Sequence, residues 1–265
     1  MYPKISNRRC KQLIVLCGCL LCSVTLGAQT IIAHRGASAR APENTVAAVK
    51  LGFALGADAV EIDIHRSADN KLMVIHDHTS ERTTGVNYTV SGTKARDLRK
   101  LDAGSWKGEQ FKGERIPFLK EVIRAVPREK TLVIELKTGP EVLPFLEKDI
   151  RKYGKGKNLV LISFYERTIV AAKAVFPDIP AYWLIGNLST HTPETLIALA
   201  KKNNLDGLNM NYRLISAAIA EKVHHSGLKL LAYTVNDPEE AKKLKLLKVD
   251  AITTDIPETI LMQLK

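Results

Sequence analysis

From Thr30 onward, short runs of apolar and β-branched residues alternate with longer stretches whose apolar positions recur at helical spacing. The short runs predict strands at residues 30–33, 59–65, 131–137, 159–164, 181–185, 207–210, 229–235 and 251–254, with an extra strand-like run at 72–76. The helical patterns fall at 44–55, 119–126, 141–153, 165–175, 193–203, 215–225, 238–247 and 257–264. Several of them begin on a cap or a proline, as at Thr192-Pro193 and Asp237-Pro238. Alternation of this kind predicts a parallel sheet with helical crossovers. Eight such units in 265 residues predict an α/β fold, a (β/α)8 barrel. A doubly wound open sheet is the alternative, but it usually carries a glycine-rich phosphate loop after its first strand, and none follows Ala33.

One stretch breaks the rhythm. Residues 79–113 are rich in glycine and charge and read as a loop insertion between the second strand and the second helix. In a barrel such loops lie on the catalytic face.

Residues 1–28 stand apart. Lys4, Arg8, Arg9 and Lys11 precede an apolar run from Leu13 to Leu26 that ends in Gly27-Ala28. That is the pattern of a secretory signal peptide, with residues 29–265 forming the mature barrel. An uncleaved anchor, or a lipoprotein signal ending at Cys19 or Cys22, would be the other readings. All four cysteines, Cys10, Cys17, Cys19 and Cys22, fall in this segment, so cleavage leaves a chain without thiol chemistry. The expectation is an exported protein, periplasmic or extracellular. The formal charge of +11 includes four cations from the segment, which holds no anion, leaving about +7. The basic residues are dispersed, which suits a solvated surface or peripheral contact with an anionic membrane surface. No nucleic-acid motif accompanies them.

The candidate chemistry gathers at predicted strand ends. Ala59–His65 reads AVEIDIH, so Val60, Ile62 and Ile64 share one face while Glu61, Asp63 and His65 share the other. Two carboxylates pointing into a barrel lumen repel unless a cation sits between them; a hard divalent metal is the economical solution. The alternative is ordinary polar alternation on an exposed strand. TLVIELK repeats the pattern, offering Glu135 as a third ligand and Lys137 as a phosphate contact. His34 and His76 both end predicted strands and can share acid and base roles across one reacting centre. Arg35 supplies a fork that matches phosphate oxygens. In Pro42-Glu43-Asn44-Thr45, either Asn44 or Thr45 can cap the first helix, and Asn44 is favoured as an orienter of the neighbouring strand-end groups. Metal, cations, acid and base together describe a phosphoryl-transfer site.

The ordered set HRG, PENT, EIDI, VIHD and IELK resembles the glycerophosphodiester phosphodiesterase family, and the resemblance runs on to YTVN and TTDIP near the end of the chain. It implies a TIM barrel acting on small glycerophosphodiesters and releasing glycerol 3-phosphate and an alcohol. It puts His34 and His76 on the acid/base pair, Arg35 and Lys137 on the phosphate, and Glu61, Asp63 and Glu135 on one Ca2+ or Mg2+. It implies attack by the substrate's own neighbouring hydroxyl to give a cyclic phosphate, which water then opens. Many members carry Trp where this chain has Tyr233, which alters the glycerol-side pocket. Trp183, Phe164 and Tyr233 are candidates for pocket wall or barrel core, with Phe164 leaning to core. A related expectation is the same site acting on lysophospholipids or anionic glycerophosphate polymers. A non-catalytic binding barrel is disfavoured because every acid, base and carboxylate is present.

Overall fold

The computed structural model describes residues 29–264. The expected signal segment, 1–28, lies outside the described residues. Nine strands form one sheet: β1 (Thr30–Ala33), β2 (Ala59–Arg66), β3 (Leu72–Val74), β4 (Thr131–Leu136), β5 (Asn158–Ser163), β6 (Ala181–Ile185), β7 (Gly207–Asn211), β8 (Lys229–Tyr233) and β9 (Ala251–Thr254). Their order is β1-β9-β8-β7-β6-β5-β4-β2-β3, and a further β1–β2 pairing closes eight parallel strands into a barrel. The open-sheet alternative is thereby excluded. The extra run is β3, which turns back antiparallel on β2 with Ile64 opposite Val74 and Arg66 opposite Leu72.

Strand parity explains the layering. Val60, Ile62, Ile64, Leu132, Ile134 and Leu136 point outward into the main core beneath the helices. Each of these fully buried side chains contributes about 1.5–3 kcal/mol relative to exposure. A smaller inner core of Ile32, Ala59, Val133, Ile162, Tyr182, Leu184, Leu231 and Ala251 fills the lumen. The outer layer therefore carries most of the apolar burial, and above Ala59 the β2 side of the lumen is left to polar groups while Ile162 and Leu184 keep the facing side apolar.

The helices follow the predicted pattern with shifted ends. The first spans Val46–Ala54 and is capped by Thr45, whose hydroxyl accepts from the Ala48 N–H. Asn44 cannot lie inside it, because its φ of 59° is left-handed. The insertion folds into short helical turns at Glu81–Thr84 and Ala95–Leu98. Met73, Ile75, Val90, Ala95, Leu98, Ala103 and Ile116 form a minor core beneath it. A larger cavity of about 1060 Å³ opens at the opposite mouth of the barrel, where Asp58 and Asp250 are used to accept strand N–H groups rather than to gather around a ligand.

Candidate active site

β1 delivers the first groups. The His34 N–H extends the β1–β9 ladder by donating to the Thr254 carbonyl at 2.8 Å. Arg35 and Gly36 then take φ values of 53° and 83°, two left-handed residues in succession that turn the chain sharply. The turn brings the Arg35 N–H to Glu61 Oε2 at 2.9 Å and its guanidinium to Glu43 Oε1 at 2.9 Å. Gly36 is required twice over: besides the φ, a Cβ there would sit 2.4 Å from the carbonyl carbon of Ala48.

β2 and β4 supply the carboxylates. The parallel register sets Asp63 beside Glu135, and Glu61 lies two residues earlier on the same face as Asp63. Glu61, Asp63 and Glu135 are all buried, and each offers one oxygen within 4.8 Å of the others. Two cations reach in: Lys137 Nζ lies 2.8 Å from Glu135 Oε1 and 3.5 Å from Asp63 Oδ1, and Arg35 Nε lies 3.4 Å from Asp63 Oδ2. They do not satisfy the cluster. Glu61 Oε1 and Asp63 Oδ1 remain buried without a hydrogen-bond partner.

The ionisation of the three acids divides accordingly. Burial, then Asp63 and Glu135, push the Glu61 carboxyl well above the ordinary glutamate range. Burial and Asp63 push Glu135 up to about 7. Burial also pulls Asp63 upward, but Lys137, Arg35 and His76 outweigh it and hold that carboxyl at about 2. A divalent cation fits these residues, because the orphaned oxygens are hard ligands and the three carboxylates, once ionised, carry more negative charge than Lys137 and Arg35 neutralise.

The two histidines flank this cluster, each backed by an aspartate. His34 Nδ1 pairs with Asp255 Oδ1 at 2.7 Å, and Asp255 is itself held by the Ser38 hydroxyl and the Asn236 amide. His76 Nδ1 pairs with Asp77 Oδ1 at 2.6 Å. Engaging Nδ1 in this way leaves Nε2 of each ring for chemistry. Burial lowers the His76 pKa, Arg35 and Lys137 press in the same direction, and Asp63 and Asp77 oppose them. A chain of ion pairs links the two sides: Arg35 to Glu43, Glu43 to Arg82, and Arg82 Nε to Asp77 Oδ2 at 2.7 Å.

A cavity of about 140 Å³ opens over these groups, and His34, Arg35, Glu61, His76, Glu135 and Lys137 all line it. The other wall includes Ile162, Leu184, Asn209, Phe164 and Tyr233. Asn44 stands behind the cluster, donating to Asp63 Oδ2 at 2.8 Å and accepting from the Asp63 N–H at 3.0 Å.

Two aromatic positions depart from expectation. Trp183 does not face the cavity. It sits in the outer core, 5% exposed, with its indole N–H donating to the Phe164 carbonyl. Its neighbours Tyr182 and Leu184 take the lumen, so parity alone sends Trp183 outward. Phe164 is the reverse case. β5 ends at Ser163, which leaves Phe164 in the loop above the strand, 43% exposed and edge-on to Tyr233 at 5.7 Å.

Asp77, Asp255, Glu43 and Arg82 position the catalytic groups although the sequence alone gives them no separate role. Asp77 and Asp255 lie inside VIHD and TTDIP and carried that local signal. Glu43 lies in PENT and pairs with Arg35 directly and with Arg82, a residue of the insertion with no signal of its own. His65, expected on the lumen face, is buried with its Nε2 3.0 Å from the His76 carbonyl oxygen, so it steadies that residue's backbone.

Residues 34–259 match the glycerophosphoryl diester phosphodiesterase family. A glycerophosphodiester phosphodiesterase of Caldanaerobacter subterraneus subsp. tengcongensis is 35% identical over 236 residues, which cover 87% of this chain and 96% of that protein. A lysophospholipase D of Mus musculus is 35% identical over 136 residues, 49% of this chain and 43% of that protein. An Oleispira antarctica phosphodiesterase, solved in complex with the product sn-glycerol-3-phosphate, shares the fold with a TM-score of 0.83 at 30% identity, covering 88% of this chain and 96% of that one. The family match begins at His34 and takes in every group that lines the cavity, and on that ground the chain belongs to the glycerophosphoryl diester phosphodiesterase family.

Proposed function

We propose that this chain hydrolyses glycerophosphodiesters to glycerol 3-phosphate and a free alcohol. The observation that carries the reading is one cavity lined by two aspartate-backed histidines, two cations, Glu61 and Glu135, with Asp63 beside them completing a buried carboxylate cluster in which Glu61 and Asp63 each keep an orphaned oxygen. The product bound to the Oleispira antarctica phosphodiesterase supports it.

Glu61, Asp63 and Glu135 would hold one Ca2+ or Mg2+. When bound, that ion supplies positive charge to the phosphoryl oxygens. Arg35 and Lys137 hold the remaining phosphate charge. One histidine takes the proton from the glycerol C2 hydroxyl as its oxygen forms a bond to phosphorus. The other gives a proton to the departing alcohol oxygen as its bond to phosphorus breaks. The product of this step is a cyclic phosphate, and the histidines exchange roles when water opens it. Burial favours neutral His76 near neutral pH, and that form can accept a proton.

A coupled assay for glycerol 3-phosphate, run on diesters with several head groups, tests the reading. The expected result is equimolar glycerol 3-phosphate and alcohol. Release of free glycerol with a phosphorylated head group would mean that the wrong P–O bond had been assigned.

Phe164, 43% exposed, lines the cavity, and the next residue along the chain, Tyr165, is 56% exposed. They favour a second substrate class, lysophospholipids, whose chain would run over this apolar edge. Release of choline from a lysophosphatidylcholine decides it, because the other product is then an acylated glycerol 3-phosphate that the coupled assay does not detect. The dispersed basic charge suits contact with an anionic membrane or polymer during such turnover.

The export reading rests on residues 1–28. Expression with an intact leader in a bacterial host is expected to yield a chain beginning at Gln29. A recovered N-terminus at Met1, or a lipid-modified Cys19 or Cys22, would replace that reading with one of the anchored forms.

A further inference from the structure

Asn209 is 1% exposed, yet its Oδ1 has no hydrogen-bond partner. An unpaired amide in a buried site is costly and calls for an occupant that pairs with it. It lines the catalytic cavity, and the register sets it between Leu184 on β6 and Leu231 on β8, both lumen-facing and apolar. The barrel order puts β7 four strands from β2 in either direction, so Asn209 faces the carboxylate wall from the opposite side. The buried Tyr233 hydroxyl, on the adjacent β8, is likewise without a partner.

We infer that Asn209 is a specificity-determining residue that bonds the terminal C1 hydroxyl of the substrate's glycerol. The inference rests on the phosphodiesterase reading. The phosphate belongs to the wall carrying Arg35, Lys137 and the carboxylates, and the C2 hydroxyl must meet a histidine. The C1 hydroxyl is the one polar group of glycerol left to satisfy, and it reaches the opposite wall. A hydroxyl both donates and accepts, so it pairs with the Asn209 amide in either orientation of that group. The leaving alcohol has no role here and extends through the open mouth of the cavity.

The test compares two diesters that share a choline leaving group and an attacking hydroxyl. Glycerophosphocholine carries the C1 hydroxymethyl group, and 2-hydroxyethyl phosphocholine lacks it. Choline release is measured for the wild type and for Asn209→Leu, a substitution of similar size. The wild type is expected to prefer glycerophosphocholine by about tenfold or more in kcat/KM. Asn209→Leu should lose that preference through a raised KM for glycerophosphocholine, with its activity on 2-hydroxyethyl phosphocholine within about twofold of wild type. A role confined to barrel packing would lower both activities together. An equal fall for both substrates, or a preference that survives the substitution, overturns the inference. Asn209→Ala is read in the same way if the leucine variant does not fold. A wild type that cleaves glycerophosphocholine without preferring it overturns the Asn209 role alone. A wild type that cleaves neither diester overturns the phosphodiesterase reading as well.

Discussion

Alanine at His34 or at His76 is expected to cut kcat on a glycerophosphodiester by about 10³-fold, while the thermal melt stays close to that of the unmodified chain. Each ring is partly exposed on the cavity side, so truncation removes a proton carrier without opening a hole in the core. The double variant should be little worse than either single one, because acid and base serve one transition state and their effects do not add. Asp255→Asn and Asp77→Asn should cost less than loss of the rings they orient. The pH–rate profile carries a further mark. Burial lowers the His76 pKa, so its neutral form persists to lower pH than a free imidazole's, and the acid limb contributed by His76 should be displaced downward. Full turnover by either alanine variant would remove the acid/base assignment.

Removal of divalent cations should bring turnover to background, and Ca2+ or Mg2+ should restore it. The sharper consequence is in stability. Burial and neighbouring carboxylates raise the folded-state pKa of Glu61, and that of Glu135 from 4.5 to about 7. A carboxylate raised in the folded state favours folding while it is protonated. Its contribution is therefore fully present below 4.5 and is lost as pH rises through about 7. Asp63 has the opposite sign: held at about 2, it contributes above its ordinary 3.8 and loses that contribution as acid protonates it. Between these limits the metal-free chain should weaken as pH rises, and a bound cation should reverse the loss by pairing with the ionised acids. The stabilisation by added metal should thus be larger at about pH 8 than at about pH 5. Scanning calorimetry under the four conditions measures it. A melting temperature indifferent to metal at both pH values would mean that the three acids are not a cation site.

Much of the architecture is legible without coordinates because local rules act on local residues. β2 alternates acid and aliphatic residues, so periodicity alone puts Ile62 and Ile64 in one layer and Glu61 and Asp63 in the other. Strand ends are set by tertiary packing as much as by local pattern. Stopping β5 one residue sooner moves Phe164 from core to cavity rim, and the outward parity of β6 removes Trp183 from the cavity altogether. Both outcomes follow from a single step along a strand, where the next residue faces the other way.

The amino-acid order by itself determined the alternating units, the inward faces and the residue types that meet a phosphodiester. Closure determined the rest. The β1–β2 pairing and the Asp63–Glu135 register gather three acids from two strands, and the partnerships of His34 with Asp255 and of Arg82 with Glu43 span 221 and 39 positions of the chain. Periodicity reports which way a side chain points along its own strand; distances between groups on different strands depend on register and on how the barrel closes, and those are set by the packing of the whole molecule.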